Sequence, residues 1–198
     1  MRNQYLVIYN TYRIEHSMEM KRQSPVRIDG CPICKMNDLP NYIVSNDLWH
    51  CFQLHFKSCP IPGYLMFQSQ RHVQGPQEFN DMEAGNLMFA LRHVETILKE
   101  VTGAERIYTI MIGETGPHFH AHLIPRYSDE RLADLGISKS LGIAMGVFDL
   151  FRKVMAKEHP PADKNECERV HMEMKRRLQL EPLPNTGRIM KTIANSKL

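Results

Sequence analysis

Three histidines stand at alternate positions in His118-Phe119-His120-Ala121-His122, followed by Leu123-Ile124-Pro125-Arg126. On an extended strand successive side chains point to opposite faces. The three imidazoles then share one face, and Phe119, Ala121 and Leu123 share the other. At about 3.3 Å per residue the outer two rings lie about 13 Å apart along the strand. Imidazole titrates near neutrality, so such a row can supply a nucleophile, a proton shuttle and a hydrogen-bond donor to phosphate, or bind metal. A solvent-facing strand normally mixes Lys, Glu and Thr. One residue type three times reads as chemistry rather than as a chance polar face. A second candidate is Cys31-Pro32-Ile33-Cys34, which has the spacing of a zinc knuckle but supplies only two of the four ligands of a closed structural site. A redox pair is the alternative. A thioredoxin-like motif follows a strand and opens a helix, whereas Asp29-Gly30 and Met36-Asn37-Asp38-Leu39-Pro40 surround this pair with loop residues.

The elements that must hold these residues can be read around them. Residues 42–56 and 64–68 are rich in Tyr, Val, Trp, Phe and Leu and are separated by Pro60-Ile61-Pro62-Gly63, which predicts two antiparallel strands joined by a turn. Asn80 caps a helix running to Val101, with Glu83 at capping-box spacing, Leu87, Leu91, Val94, Leu98 and Val101 as its apolar stripe, and Gly103 as its stop. Ile107–Ile112 reads as a strand, Gly113–Pro117 as a tight turn, and His118–Ile124 as a second strand closed by Pro125. So short a connection makes a hairpin. Beyond Arg126 a helix is expected from Ser138 to about Lys157, apolar on two sides and therefore sandwiched in the core or between subunits. Asp163 caps a last helix carrying Cys167, Val170, Met174 and Leu178, and coil follows from Glu181.

The composition limits the function classes. The chain has 198 residues, of which 42% are hydrophobic and 24% charged, as in an ordinary globular protein that needs no disulfide staples. The longest apolar run, Leu141–Phe148, falls well short of the roughly 18 residues of a membrane span, and the start does not read as a secretory signal. Reduced thiols in the cytoplasm are the expectation for its five cysteines, with Cys51, Cys59 and Cys167 as buried thiols. A net charge of only +3 does not point to nucleic acid as a partner. Lys175-Arg176-Arg177 and Lys153–Lys157 read as solvated helix faces. His50, His55 and His93 read as ordinary packed or surface histidines, with His55 also a candidate for a nucleoside pocket. Trp49, Phe52 and Phe56 fit core packing better than base stacking.

The histidine segment resembles the signature of the histidine triad (HIT) superfamily, His-φ-His-φ-His-φ-φ with φ apolar, and matches it completely from His118 to Ile124. The similarity continues upstream through Pro62-Gly63-Tyr64-Leu65-Met66-Phe67, Arg71-His72-Val73 and the helix from Asn80, covering about residues 31–127. It implies an α+β, HIT-like fold, with a mainly antiparallel sheet packed by a long helix and extra C-terminal helices. An N-terminal extension (1–30), a catalytic domain (31–127), a C-terminal helical extension (128–180) and a flexible tail (181–198) are expected. The implied activity is that of a nucleotide hydrolase cleaving at the α-phosphate of a dinucleoside polyphosphate or nucleoside phosphoramidate. In it His120 attacks phosphorus to form a covalent nucleotidyl-imidazole, and His122 donates a hydrogen bond to a non-bridging oxygen.

Gly113-Glu114-Thr115 stands where the family carries Gly-Gln-Ser or Gly-Gln-Thr. Thr115 would give a hydroxyl to phosphate or leaving group, while Glu114 replaces an amide by a carboxylate. The acidic residue that usually binds ribose hydroxyls is replaced by Phe56, with His55 beside it, and the usual hairpin-loop asparagine has no counterpart. The expected nucleotide-binding set is therefore His55, Phe56, Glu114, Thr115 and His122. Zinc-containing branches, including hexose-phosphate uridylyltransferases, pair a Cys-x-x-Cys with two histidines. This assigns structural Zn2+ to Cys31, Cys34, His72 and His118, with His118 holding the strand that presents His120. The alternatives are a nucleotidyltransferase, against which stands the third triad histidine His122, and a zinc-stabilised nucleotide-binding protein with little catalysis. A homodimer is also implied.

Overall fold

The computed structural model describes residues 26–38, 41–59, 61–113, 116–134, 151–154, 156–159 and 161–183. Five strands form one antiparallel sheet: β1 (Tyr42–Ser45), β2 (Trp49–Gln53), β3 (Leu65–Ser69), β4 (Arg106–Ile110) and β5 (His120–Arg126), in the order β1-β2-β3-β5-β4. The run expected as one strand over 42–56 is thus a hairpin of its own. Asn46 breaks it, its side-chain oxygen accepting from the backbone N–H of Leu48 (2.9 Å) and Trp49 (2.8 Å). Pro125 does not close β5. It pairs with Ile107 of β4, while the ladder with β3 has already ended at Leu65 opposite Leu123, so no third strand flanks the residue without an N–H. The connection between β2 and β3 turns at Gly63, whose φ is +78°. A Cβ there would lie 2.8 Å from Thr102 Cγ2 and 3.3 Å from Pro125 Cγ.

Helix α1 (Pro32–Met36) is a single turn with Cys31 as its N-cap, where the sequence reads as loop. The long helix α2 (Asp81–Thr102) begins with the expected capping box: Glu83 N–H donates to Asn80 Oδ1 and Asn80 N–H to Glu83 Oε2, both at 2.9 Å. Gly103 ends it in the left-handed region at φ 67°. A short helix α3 (Asp129–Asp134) follows β5, residues 151–154 are helical, and α4 (Lys164–Leu180) starts where Asp163 accepts from Glu166 N–H at 2.7 Å. The rest of the helix expected over 138–157 lies outside the described residues.

The alternation of β5 sorts the two faces. Ala121 and Leu123 of β5, and Phe119 just before it, join Trp49, Cys51, Leu65 and Phe67 in the main core. This core is roofed by Leu87, Leu91, Val94 and Leu98 of α2 and by Val170, Met174 and Leu178 of α4. Inside it Trp49 Nε1–H donates to Asn86 Oδ1 at 2.8 Å. The opposite face carries His120 and His122. Of the expected tail, residues 181–183 are docked: Leu183 is buried in the main core and the Glu181 carbonyl accepts from His93 Nε2–H at 2.6 Å. No described helix is long and apolar enough to cross a membrane, and all five cysteines are unbridged.

Candidate functional site

Each histidine of the triad is positioned by a different part of the fold. His120 faces Gln68 of β3 across the ladder, and His122 lies between Met66 of β3 and Ile110 of β4. Their rings stand edge-on at 5.2 Å between centroids. His120 Nδ1 is 2.7 Å from the carbonyl oxygen of His118. A carbonyl only accepts, so Nδ1 carries a proton, and the neutral form of the ring has its lone pair on Nε2. His122 Nδ1 lies 3.0 Å from the hydroxyl of Tyr64, a wholly buried side chain just before β3. Burial raises the Tyr64 phenol, which keeps its proton and donates it to Nδ1. Burial, and next the neighbouring His120, push the His122 imidazole down to about 4. At neutral pH it is therefore uncharged, with its N–H on Nε2.

His118 precedes the first residue of β5 by two positions, and its ring turns to the cysteines. Its Nδ1 is 3.3 Å from Cys34 Sγ and 3.7 Å from Cys31 Sγ, and His72 Nδ1 is 3.4 Å from Cys34 Sγ. All four donor atoms lie within 4.8 Å of one another. With Zn–S near 2.3 Å and Zn–N near 2.0–2.1 Å, a tetrahedral site requires S···N separations of roughly 3.6 Å. The observed spacings fit it. The other nitrogen of His118 donates to the Ser69 carbonyl at 2.9 Å, which leaves Nδ1 as the ligand lone pair. Cys34 N–H points at Cys31 Sγ at 3.4 Å, as a thiolate ligand would use it. The four residues thus suit zinc by donor type, spacing and outer hydrogen bonds.

The remaining expected residues divide. Glu114 and Thr115 lie outside the described residues. His55 is exposed and caps the 3-10 turn Phe56–Ser58, its Nδ1 accepting from Lys57 N–H at 3.3 Å and its ring against Phe56 at 4.3 Å. No contact among the described residues brings either ring to the histidines. Trp49 belongs to the core, whereas Phe52 lies in the same cross-strand row as Met66 and His122. Sequence reasoning missed Tyr64, although its place directly before β3 carried the signal. It also missed Phe151, whose ring stands edge-on to His122 at 5.0 Å and 83°. Nothing in the spacing pointed to that contact.

Asn37 and Gln68 were missed as well. Gln68 Nε2–H donates to the Ile33 carbonyl (3.2 Å) and to Asn37 Oδ1 (2.6 Å), and Asn37 Nδ2–H donates to the Ser69 carbonyl at 3.2 Å. These bonds fasten α1, and with it Cys34, to the rung of β3 that faces His120.

The sequence matches no protein-family model and no curated protein. Its structure is similar to that of a histidine triad nucleotide-binding protein from Sulfolobus tokodaii, with a TM-score of 0.51 at 15% identity over 75% of this chain and 92% of that one. The fold is HIT-like. Similar structures also include a histidine triad protein from Sinorhizobium meliloti (TM-score 0.49, 19% identity, 75% of this chain and 94% of that one). A zinc-bound histidine triad family protein from Mycobacterium smegmatis is another (TM-score 0.44, 14% identity, 65% and 95%). The α+β class expected from the motif is the one observed, five antiparallel strands with helices.

Proposed function

We propose that the protein is a zinc-containing histidine triad enzyme that hydrolyses a nucleotide at its α-phosphate through a covalent intermediate on His120. The observation that carries this reading is the bond from His120 Nδ1–H to the His118 carbonyl, which in the neutral ring places the lone pair on Nε2 as a fixed nucleophile. Nε2 attacks the α-phosphorus, a P–N bond forms, and the bond to the leaving group breaks with its electron pair. The imidazole becomes cationic, and its Nδ1–H bond to the carbonyl strengthens as charge develops. His122 Nε2–H donates to a non-bridging oxygen in the same step. Water then attacks phosphorus, a P–O bond forms and the P–N bond breaks with its electron pair returning to Nε2, so that the nucleoside monophosphate departs and the proton of the water passes to the leaving group or to solvent. Thr115 is assigned the hydroxyl that meets phosphate or leaving group, and His55, Phe56 and Glu114 the approach to the nucleoside. Zinc on Cys31, Cys34, His72 and His118 would act as a structural clamp on the segment that supplies the His118 carbonyl.

Incubation with a nucleoside phosphoramidate and with a dinucleoside polyphosphate should release nucleoside monophosphate, with a nucleotidyl-histidine adduct trapped on His120 by mass spectrometry. His120→Ala should abolish both. Undiminished turnover in that variant removes the assigned nucleophile. Products that require an acceptor other than water would indicate a transferase built on the same adduct. The homodimer and a cytoplasmic setting belong to this reading too, and light scattering of the full chain tests the first.

A further inference from the structure

The C-terminal extension reaches both faces of the sheet. Helical residues 151–154 lie on the histidine face, where Val154 is buried in one cluster with Tyr64, Ile124, Ile61 and Tyr127, and Phe151 packs against the same cluster. The chain is next fastened by Ala162, whose N–H is shared between the carbonyls of Phe56 (2.9 Å) and Cys59 (3.2 Å). It then continues as α4 on the opposite face, where the Cys167 carbonyl accepts from Gln53 Nε2–H at 3.0 Å. The segment bearing Phe151 is therefore tied down on its C-terminal side by hydrogen bonds and burial.

His122 meets three rings edge-on, one of them its neighbour His120 at 5.2 Å and 71°. Tyr64 stands at 5.7 Å and 73° and also holds Nδ1 through its hydroxyl. Phe151 stands at 5.0 Å and 83°. The hydrogen bond to Nδ1 fixes the tautomer, and the rings of Tyr64 and His120 leave one side of the imidazole for Phe151 to restrain. The Phe151 ring packed edge-on there limits the remaining swing and helps to exclude water from the imidazole. We propose that Phe151 is a positioning residue for His122, so that the C-terminal extension completes the active site built by residues 31–127. This rests on the reading of His122 as the donor to the phosphoryl oxygen. The role is separate from filling the cluster, since an aliphatic side chain of similar volume would fill it without presenting a ring edge.

The test uses the full-length, zinc-loaded protein with Phe151→Leu, Phe151→Ala and Phe151→Tyr. In histidine-labelled protein, Phe151→Leu should shift and broaden the His122 ring C–H resonances while leaving those of His50 in place, because the neighbouring ring current and the restraint are both lost. With a nucleoside phosphoramidate, kcat should fall about fivefold in Phe151→Leu at nearly constant KM, the equivalent of about 1 kcal/mol for an edge-to-face contact. Phe151→Tyr should restore it. Unmoved His122 resonances, or a kcat per folded molecule equal to wild type in both Phe151→Leu and Phe151→Ala, would overturn the proposal. Should His120→Ala retain turnover, the hydrolase reading falls, and the resonances still decide whether Phe151 restrains His122.

Discussion

Tyr64→Phe removes one oxygen from the site and leaves the packing in place. The ring is wholly buried and keeps its edge-on contact with His122, so the change isolates the 3.0 Å bond from the hydroxyl to Nδ1. A buried hydrogen bond contributes about 1 kcal/mol net, and leaving a buried nitrogen unpaired raises the loss to about 2 kcal/mol. In a chain of this size that corresponds to a melting temperature lower by about 4–8 °C. The catalytic loss has a different origin. Without the hydroxyl, His122 samples the tautomer with its proton on Nδ1, which offers no donor at Nε2. If the Nε2–H acts on charge that develops in the transition state, kcat should drop about tenfold, or about 1.4 kcal/mol, with KM nearly unchanged. The assay is steady-state hydrolysis of a nucleoside phosphoramidate alongside urea unfolding and 15N shifts of the His122 ring. A stability loss of the stated size with kcat unchanged would refute the assignment of Tyr64 as the group that orients His122. So would 15N shifts that still report a pure Nε2–H tautomer.

Other perturbations give equally definite expectations. Protein produced with zinc in the medium should carry about one zinc per chain by mass spectrometry, and Cys34→Ser should abolish that stoichiometry and lower the melting temperature. His50 is buried with both ring nitrogens unpaired among the described residues, and burial, followed by the nearby Arg27 charge, lowers it from 6.5 to about 4. The unfolded chain binds its proton first as pH falls through 6.5. Stability is therefore fully present above that pH and declines toward pH 4 by about 3 kcal/mol in all, a slope that His50→Leu should lack in urea titrations at stepped pH. Gly63→Ala forces a positive φ on alanine and a Cβ 2.8 Å from Thr102 Cγ2, so it should destabilise by about 2 kcal/mol or more in the same titrations.

The sequence is most legible where local rules decide. The capping box at Asn80 and Glu83, the stop at Gly103 and the cap at Asp163 each depend on residues within one turn, and α2 and α4 start and stop close to where those signals stand. Apolar periodicity likewise marked Leu87, Leu91, Val94 and Leu98 as core, and they are buried. Legibility drops where a single side chain overrides a run of strand formers. Asn46 bends an apparently continuous strand into the β1–β2 hairpin, and Cys31 with Pro32 turns a loop-like stretch into α1. Pro125 misleads for the converse reason: a residue that cannot donate is tolerated once the neighbouring strand has ended.

What the sequence determined alone is the chemistry on offer. An alternating triad on a strand puts three imidazoles on one face and apolar residues on the other, because the period of a strand is two and needs no partner to hold. What only the tertiary structure decided is how those rings differ. His118 comes within 3.3 Å of Cys34 although 84 residues separate them, and this contact together with the Ser69 carbonyl turns one of three like side chains toward a metal. The tautomer of His122 depends on Tyr64, 58 residues away, and its packing on Phe151 from the extension. Side-chain spacing along one strand is local geometry. Proton placement and metal affinity depend on which distant groups the folded chain brings within hydrogen-bond or coordination reach.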